Sequence, residues 1–352
     1  MARARKPLPG LVKASAPCRV DCGGTLDLDP FSLSLNPLGP ATFNLALDLP
    51  TRVEARSGAG GVRKVVSSGF AVQEAGEGEE VDYGGPLGFF FLAMDYFGLR
   101  DCVLTIRSDS PPRSALGGSS AAILASVAAL ARLAGRRLSR LEAVNLAHLI
   151  ESALFQVPCG RQDHLAAAYG GVHLWTWSPG SKRGHSGRKL LKGQAYPRLE
   201  KRLLVAFPGQ THSSADVNGV WTRGFISGRH REAWRRTARL TQDLAKAVAR
   251  GDWRAAARAL GEETGVRLEL TPEVLPPLAR RLYEAARELG AGARFSGAGG
   301  GGCVWALGPR ARIEELKPVW EALLAGVPEA RLLPSRIDRQ GLRLKAKAGS
   351  EA

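Results

Sequence analysis

Nowhere in the 352 residues do 18 or more apolar positions follow one another, so no segment has the length of a bilayer-crossing helix. The opening Met1-Ala2-Arg3-Ala4-Arg5-Lys6-Pro7 has no apolar stretch of signal-peptide length behind it, which predicts a cytoplasmic protein. Cysteine is sparse and unpatterned. The five residues Cys18, Cys22, Cys102, Cys159 and Cys303 are odd in number, and the one close pair has no second pair to complete a zinc site, so they read as reduced thiols. Acidic residues are outnumbered, 33 against 49 Lys and Arg, giving a net charge of +16 and a pI near 10.2. Such a balance suits nucleic acid, a membrane surface or an anionic small molecule. Aromatic interleaving and RNA-binding or zinc signatures are missing, however, so the arginines of 229–258 and of the last third read as a solvated basic face, and an anionic substrate fits equally well.

What is present is organised around Pro111-Pro112-Arg113-Ser114-Ala115-Leu116-Gly117-Gly118-Ser119-Ser120-Ala121-Ala122. This small-residue loop runs into an alanine- and leucine-rich stretch that predicts a helix over 123–134, ended by Gly135. A helix N-terminus exposes unpaired N–H groups and a partial positive charge, and small residues let an anion reach the backbone, so phosphate is the expected guest. No lysine follows the glycines, which excludes a Walker-type loop.

The rest of the chain alternates strands, helices and turns. A strand over 18–22, a Gly23-Gly24 turn and a strand over 42–47 come first, and Asp27 beyond the turn fits either a cap or a hydroxyl-binding carboxylate. Strands over 51–56 and 62–66 are joined by a glycine turn; a helix over 86–98 and a strand over 102–106 lead to the central loop. Ser139-Arg140-Leu141-Glu142 is a capping box for a helix over 141–155, and Glu151, near its unfavourable C-terminal end, calls for a cation. A strand over 172–177 is followed by a basic loop over 178–194. The second half offers a strand over 202–207, a cap-like Thr211-His212-Ser213, a helical stripe from Trp234 to Val248, and a helix capped by Thr271-Pro272-Glu273 and closed by Gly290. Two strands flank Gly297-Ala298-Gly299-Gly300-Gly301-Gly302; a helix broken or kinked at Pro318, a strand pair over 336–344 and a disordered tail from Lys345 end the chain.

Three segments, Ala16-Pro17-Cys18-Arg19-Val20 with Asp27, the loop with Ser119-Ser120, and Gly297 to Gly302, stand in the order of the three motifs of the galactokinase, homoserine kinase, mevalonate kinase and phosphomevalonate kinase superfamily, which nearly the whole chain resembles. The resemblance implies an α+β protein of two domains, the N-terminal one like ribosomal protein S5 domain 2 and the C-terminal one ferredoxin-like, with the site between them. The boundaries expected are a flexible 1–13, an ATP-binding domain over 14–178, a connecting loop over 179–198, a second domain over 199–345 and a tail over 346–352. It implies ATP on Pro112, Leu116, Gly117, Gly118, Ser119, Ser120 and Ala121, Mg²⁺ on Ser119 (with Ser120 next in line) and Glu151, Asp163 as the catalytic carboxylate, and Arg19 against Asp163 and the transferred phosphate. These types suit the chemistry: oxygen ligands for a hard cation, a carboxylate for a hydroxyl proton, a guanidinium for carboxylate and phosphate.

Within the superfamily, Pro158-Cys159-Gly160-Arg161-Gln162-Asp163-His164 and the following alanines resemble heptose-phosphate kinases and fucokinases, while the Gly-Glu-His of galactokinases is missing. The resemblance thus implies phosphorylation of a sugar or sugar phosphate, at the anomeric hydroxyl, with Asp27, Gly24, His164 and Thr211 at the substrate and Gly297, Gly299, Gly300 and Gly301 in the late glycine motif. Arg19 and Asp27 stand one residue closer than in such relatives, and Arg113 and Ala115 replace loop glycines. A non-sugar alcohol kinase and a silent sugar- and ATP-binding sensor are the alternatives. Monomer and homodimer are both compatible with the sequence, and neither a membrane nor nucleic acid is expected as partner.

Overall fold

The computed structural model describes residues 10–58, 60–76, 79–154, 159–210 and 217–347. The chain opens as strand β1 (Leu11–Cys22), turns through Gly23 into a short helix α1 (Asp29–Ser34), and returns as the long strand β2 (Ala41–Ser57). Pro17 and Pro50 face each other across this pair, and the register shifts between Pro17 and Cys18. Neither proline has an amide hydrogen for the ladder, so the strands part in a bulge. Just past it the Arg19 amide donates to the Leu116 carbonyl at 2.8 Å, tying the small-residue loop to the sheet.

Next come β3 (Arg63–Ser67), β4 (Gln73–Ala75), α2 (Gly88–Tyr96) and β5 (Cys102–Ser108). The hairpin expected between 51–56 and 62–66 does not form, because β5 lies between β2 and β3, antiparallel to the first and parallel to the second. The connection arches over the start of β5, where Asp101 accepts from the Gly58 and Gly61 amides at 3.1 Å each.

Helix α3 (Gly118–Leu133) is buried along nearly its whole length, and α4 (Arg140–Leu154) begins at the expected capping box, with Ser139 and Glu142 exchanging bonds of 2.7 and 3.2 Å. The expected end of α4 at Phe155 lies outside the described residues. Helix α5 (Gln162–Tyr169) leads to β6 (Val172–Trp177), which pairs with the early part of β2. The stretch expected as a loop carries β7 (His185–Lys189), antiparallel to β6; the Trp175 ring lies over Gly187, where a Cβ would come within 2.1 Å of it.

After α6 (Ala195–Glu200) the second half builds β8 (Leu203–Phe207), α7 (Val217–Ile226), α8 (Arg231–Arg250) and α9 (Trp253–Leu270). Helix α10 (Pro277–Glu288) starts later than Thr271-Pro272-Glu273 suggests: those residues enter a separate 3₁₀ turn, Pro272–Val274. β9 (Gly292–Phe295), β10 (Val304–Leu307), α11 (Arg310–Leu324) and β11 (Arg331–Leu333) complete an antiparallel sheet of order β11-β8-β10-β9. The last strand, β12 (Arg343–Lys347), returns to the first sheet beside β1. The residues expected to pair over 336–344 therefore pair elsewhere: Ile337 bridges Leu47 and the Leu342 amide reaches Ala168. Lys345, expected to begin a disordered tail, lies inside this strand. The domains also meet through Phe31 of α1, stacked on Phe225 at 4.6 Å and tilted against Trp234 at 4.4 Å. Among the described residues no helix is long and apolar enough to cross a membrane.

Helix α11 is one element, not two, with an exposed Pro318 inside it. An interior proline deletes a backbone bond and crowds the preceding turn at a cost of about 3 kcal/mol. Pro318→Ala is therefore expected to raise the unfolding free energy by about 1–3 kcal/mol in urea titrations; an unchanged or lower midpoint would mean that the helix is already shaped around the ring.

Candidate active site

The bulge in β1, the start of α3 and the start of α5 converge on one pair of side chains. Arg19 Nε donates to Asp163 Oδ1 at 2.7 Å and Nη2 to Asp163 Oδ2 at 2.8 Å, a two-pronged ion pair. Nη1 donates to the Ala115 carbonyl at 2.6 Å and to Ser296 Oγ at 3.1 Å, so the same guanidinium holds the small-residue loop and the late glycine loop. Four N–H bonds leave Arg19 buried and nearly saturated. The expected contact with a transferred phosphate would fall to its one remaining N–H, on Nη2. Asp163 is the partly open member, at 21% side-chain exposure. Burial raises its pKa, and Arg19 offsets part of that rise. Burial alone would lower the pKa of Arg19, but Asp163 and Asp21 turn the shift upward.

Gly117 is the N-cap of α3 at φ 73°, and no side chain caps the helix. A Cβ on Gly117 would stand 3.2 Å from Asp163 Oδ2, so the free amides of α3 open directly beside the carboxylate. Leu116 and Ala121 turn their side chains into the core and Pro112 is exposed, leaving the backbone of Gly117, Gly118 and Ser119 facing the opening. Arg113 and Ala115 both adopt left-handed φ, 51° and 59°, a conformation strained for non-glycine residues. The late glycines hold it in place. The Cys303 amide bonds the Ser114 carbonyl at 2.8 Å, and a Cβ on Gly302 would lie 2.6 Å from that of Ala115. Gly297 gives its amide to Asp21 Oδ1 at 2.8 Å, while Gly300 bonds Val274 at 2.9 Å and Gly299 packs on the same residue. Gly301 lies buried within the same turn.

Ser120, not Ser119, meets Glu151: its hydroxyl lies 3.2 and 3.3 Å from the two carboxylate oxygens, whereas Ser119 is exposed. The reason is helical phase, since Ser120 points inward against α4. Burial, reinforced by Asp163, pushes the Glu151 pKa up to about 8. Two hard oxygens and a buried carboxylate without a bonded cation fit Mg²⁺. Among the described residues no group of three His, Cys, Asp or Glu could hold a metal alone, so phosphate and water would complete its shell. His164, expected at the substrate, is fully buried behind this pair, its Nε2 3.2 Å from Glu151 without an aligned bond. Burial drops its pKa to about 3, leaving it neutral.

Asp27 caps α5, accepting the Gln162 amide at 3.1 Å. Gly160 leaves room for it: a Cβ there would come within 1.6 Å of Asp27 Oδ2. Burial, with the charge of Asp163 adding to it, lifts the Asp27 pKa to about 7. Gly24 packs on Asp21 and Gln162, and its carbonyl accepts from Arg267 at 2.7 Å. Thr211 lies outside the described residues.

The sequence reading overlooked a buried charge chain behind the site. Asp21 Oδ2 accepts from Arg294 at 3.2 Å, Arg294 from β9 donates to Glu263 at 2.7 Å, and Glu263 accepts from Arg267 at 2.9 Å. All four are fully buried. The Arg267 guanidinium lies 4.8 Å from the Trp221 ring and 4.4 Å from the Trp234 ring. Burial opposes ionisation of Glu263, but the two arginines hold its pKa below the usual carboxylate value. Asp21 carried one legible signal: two residues past Arg19 on a strand, it must share that residue's face.

Comparison with known proteins identifies the assembly. A model of the GHMP kinase N-terminal domain matches residues 88–171 and one of the GHMP kinase C-terminal domain matches residues 244–325. The chain belongs to the GHMP kinases. It is 28% identical to mevalonate kinase of Pyrococcus horikoshii over 254 residues, 69% of this chain and 68% of that one. It is 27% identical to D-glycero-alpha-D-manno-heptose 7-phosphate kinase of Campylobacter jejuni over 196 residues, 55% and 58% of the two chains. A D-glycero-D-manno-heptose 1-phosphate kinase structure from Bacteroides thetaiotaomicron superposes with a TM-score of 0.74 at 19% identity, covering 96% of this chain and 100% of that one. The two-domain GHMP kinase fold is thus common to them, and this GHMP kinase is a phosphotransferase with an alcohol acceptor.

Two outcomes test the site's electrostatics. Arg294→Met strips the shared cation from Asp21 and Glu263 and should cost about 3–5 kcal/mol in urea unfolding, as breaking buried pairs does; a loss under about 1 kcal/mol would show that these charges are not coupled. The second concerns pH. Unfolded Asp27 titrates near about 3.9, and its folded value is about 7, so its stability contribution is complete below the lower value and lost as pH rises through the higher one. Asp27→Asn removes that decline, and its unfolding free energy minus that of wild type should grow between pH 4 and pH 7.5 in urea titrations; a difference constant with pH would contradict the assignment.

Proposed function

We propose that this GHMP kinase transfers the γ-phosphate of ATP, with Mg²⁺, to a hydroxyl of a sugar or sugar phosphate. The observation that carries the reading is Asp163, held at both oxygens by a buried arginine and opening beside the uncapped start of α3. The free amides at Gly118, Ser119 and Ser120 receive the phosphates. Asp163 accepts the proton of the acceptor hydroxyl as its oxygen bonds the γ-phosphorus and the bridging oxygen leaves with ADP. Arg19 fixes the orientation of that carboxylate and offsets part of the rise that burial gives its pKa. Ser120 and Glu151 would hold Mg²⁺, which neutralises phosphate charge when bound. Asp27, beside Asp163, accepts a second hydroxyl of the acceptor. The choice of the anomeric hydroxyl rests on the likeness of Arg161-Gln162-Asp163-His164 to heptose-phosphate kinases.

A second reading, a kinase of a carboxylate-bearing alcohol such as mevalonate, is favoured by the similarity to the Pyrococcus horikoshii enzyme. Asp27 weighs against it. Ionised, this carboxylate only accepts hydrogen bonds, and a sugar offers hydroxyl donors beside the reacting one.

The test is ADP release with Mg-ATP over neutral aldoses, their terminal phosphates including heptose phosphates, and mevalonate. We expect turnover of a sugar or sugar phosphate, lowered about 10²- to 10⁴-fold in Asp163→Ala with little change in KM. Turnover of mevalonate alone would establish the second reading, and an undiminished Asp163→Ala would remove Asp163 from the chemistry.

A further inference from the structure

Away from this site, a groove of about 860 Å³ opens where α6 and the residues leading to β8 meet the end of α8 and the starts of α9 and α11. Arg198, Lys201, Arg202, Arg250 and Arg310 line it, and no carboxylate does. Arg310 has Glu314 at 2.6 Å, but Arg198, Lys201 and Arg250 form no ion pair among the described residues. Arg202 lies over the Trp253 ring at 5.1 Å, and its buried Nε has no hydrogen-bond partner among the described residues. The start of α11 adds to the imbalance. Its first turn carries Arg310 and Arg312 with no acidic residue and no side-chain cap, so two cations sit at the positive end of a helix, each paired with a glutamate further along, Glu314 and Glu315.

Like charges gathered in one concavity repel one another, and an anion with several oxygens relieves them together. We propose that this groove is a second anion site, taking a small molecule that bears a di- or triphosphate. A concavity of this volume matches a small-ligand pocket, whereas nucleic acid is tracked by a long basic stripe with stacking aromatics. Leu191 and Val248 give the rest of the molecule an apolar floor, and Trp253 a ring edge. Helix α6 follows β7 of the first sheet, while α9 and α11 pack on the second, so a bound anion ties the connecting segment to the second domain.

Equilibrium dialysis with inorganic tripolyphosphate tests this on the full chain. The combined variant Arg198→Glu, Lys201→Glu, Arg250→Glu changes exposed side chains only and should bind one equivalent fewer than wild type while melting within a few degrees of it. The missing equivalent is counted against whatever binds at α3, so the result stands apart from the kinase reading. Tripolyphosphate should also raise the melting temperature more in wild type than in the variant. Equal stoichiometry in the two proteins would overturn the proposal, as would wild-type binding of single-stranded RNA without binding of tripolyphosphate.

Discussion

Everything at this site hangs from a line of six charges that the fold takes out of water: Asp163, Arg19, Asp21, Arg294, Glu263 and Arg267, three of each sign. Two unpaired charges in such a place would cost many kcal/mol, and the alternation of sign is what makes the burial tolerable. Asp21 and Arg19 come from β1, Arg294 from β9, Glu263 and Arg267 from α9, so the line crosses from one domain to the other. The Asp163 carboxylate is therefore positioned by both domains at once. Of the six, Asp163 is the one whose side chain is partly open, at 21%, which confines reactivity to one end of a buried line.

The two glycine-bearing loops form a single device for the same reason. Ala115 and Arg113 bend into left-handed backbone, and that strain persists only because neighbouring groups over-determine it. The carbonyl that Ala115 offers to Arg19, the bond from Cys303 to Ser114 and the missing Cβ of Gly302 supply that determination. The small-residue loop is shaped by its neighbour. The lack of side chains in the late motif thus serves the phosphate loop's packing more than any direct approach of a ligand.

Local chemistry made part of this readable from the chain. Capping residues, Gly-rich punctuation and the alanine run of α3 each act over a few positions, and the elements they announce stand within a few residues of their expected places. Long-range choices left no such mark. Nothing near residue 60 says that β5 will slide between β2 and β3, nor near residue 340 that β12 will rejoin β1. Glu263, Arg267 and Arg294 look in sequence like any exposed helix or strand charge, and in α9 they interrupt the very apolar stripe that would reveal the helix. The choice between Ser119 and Ser120 turned on a single residue of helical phase, which spacing alone could not set.

The distribution of charge gives the last step. The chain as a whole is strongly cationic, yet its opening gathers carboxylates: Asp27, Glu151 and Asp163 lie close enough that the charge of Asp163 raises the pKa of each of the other two. A uniformly basic cleft would bind anions tightly but offer no base for a hydroxyl and no anchor for a cation. A uniformly acidic molecule would repel the nucleotide before it arrived. In the proposed reading the two scales are separate: the net charge would draw an anion from a distance, and the first turn of α3 would receive it at short range. In that reading the carboxylates would act on the two positive partners of the reaction, the cation and the hydroxyl proton. Burial, with the charge of Asp163 adding to it, raises the pKa of Asp27 and Glu151 toward neutrality, so in the proposed reading a divalent cation at Glu151 would displace a proton.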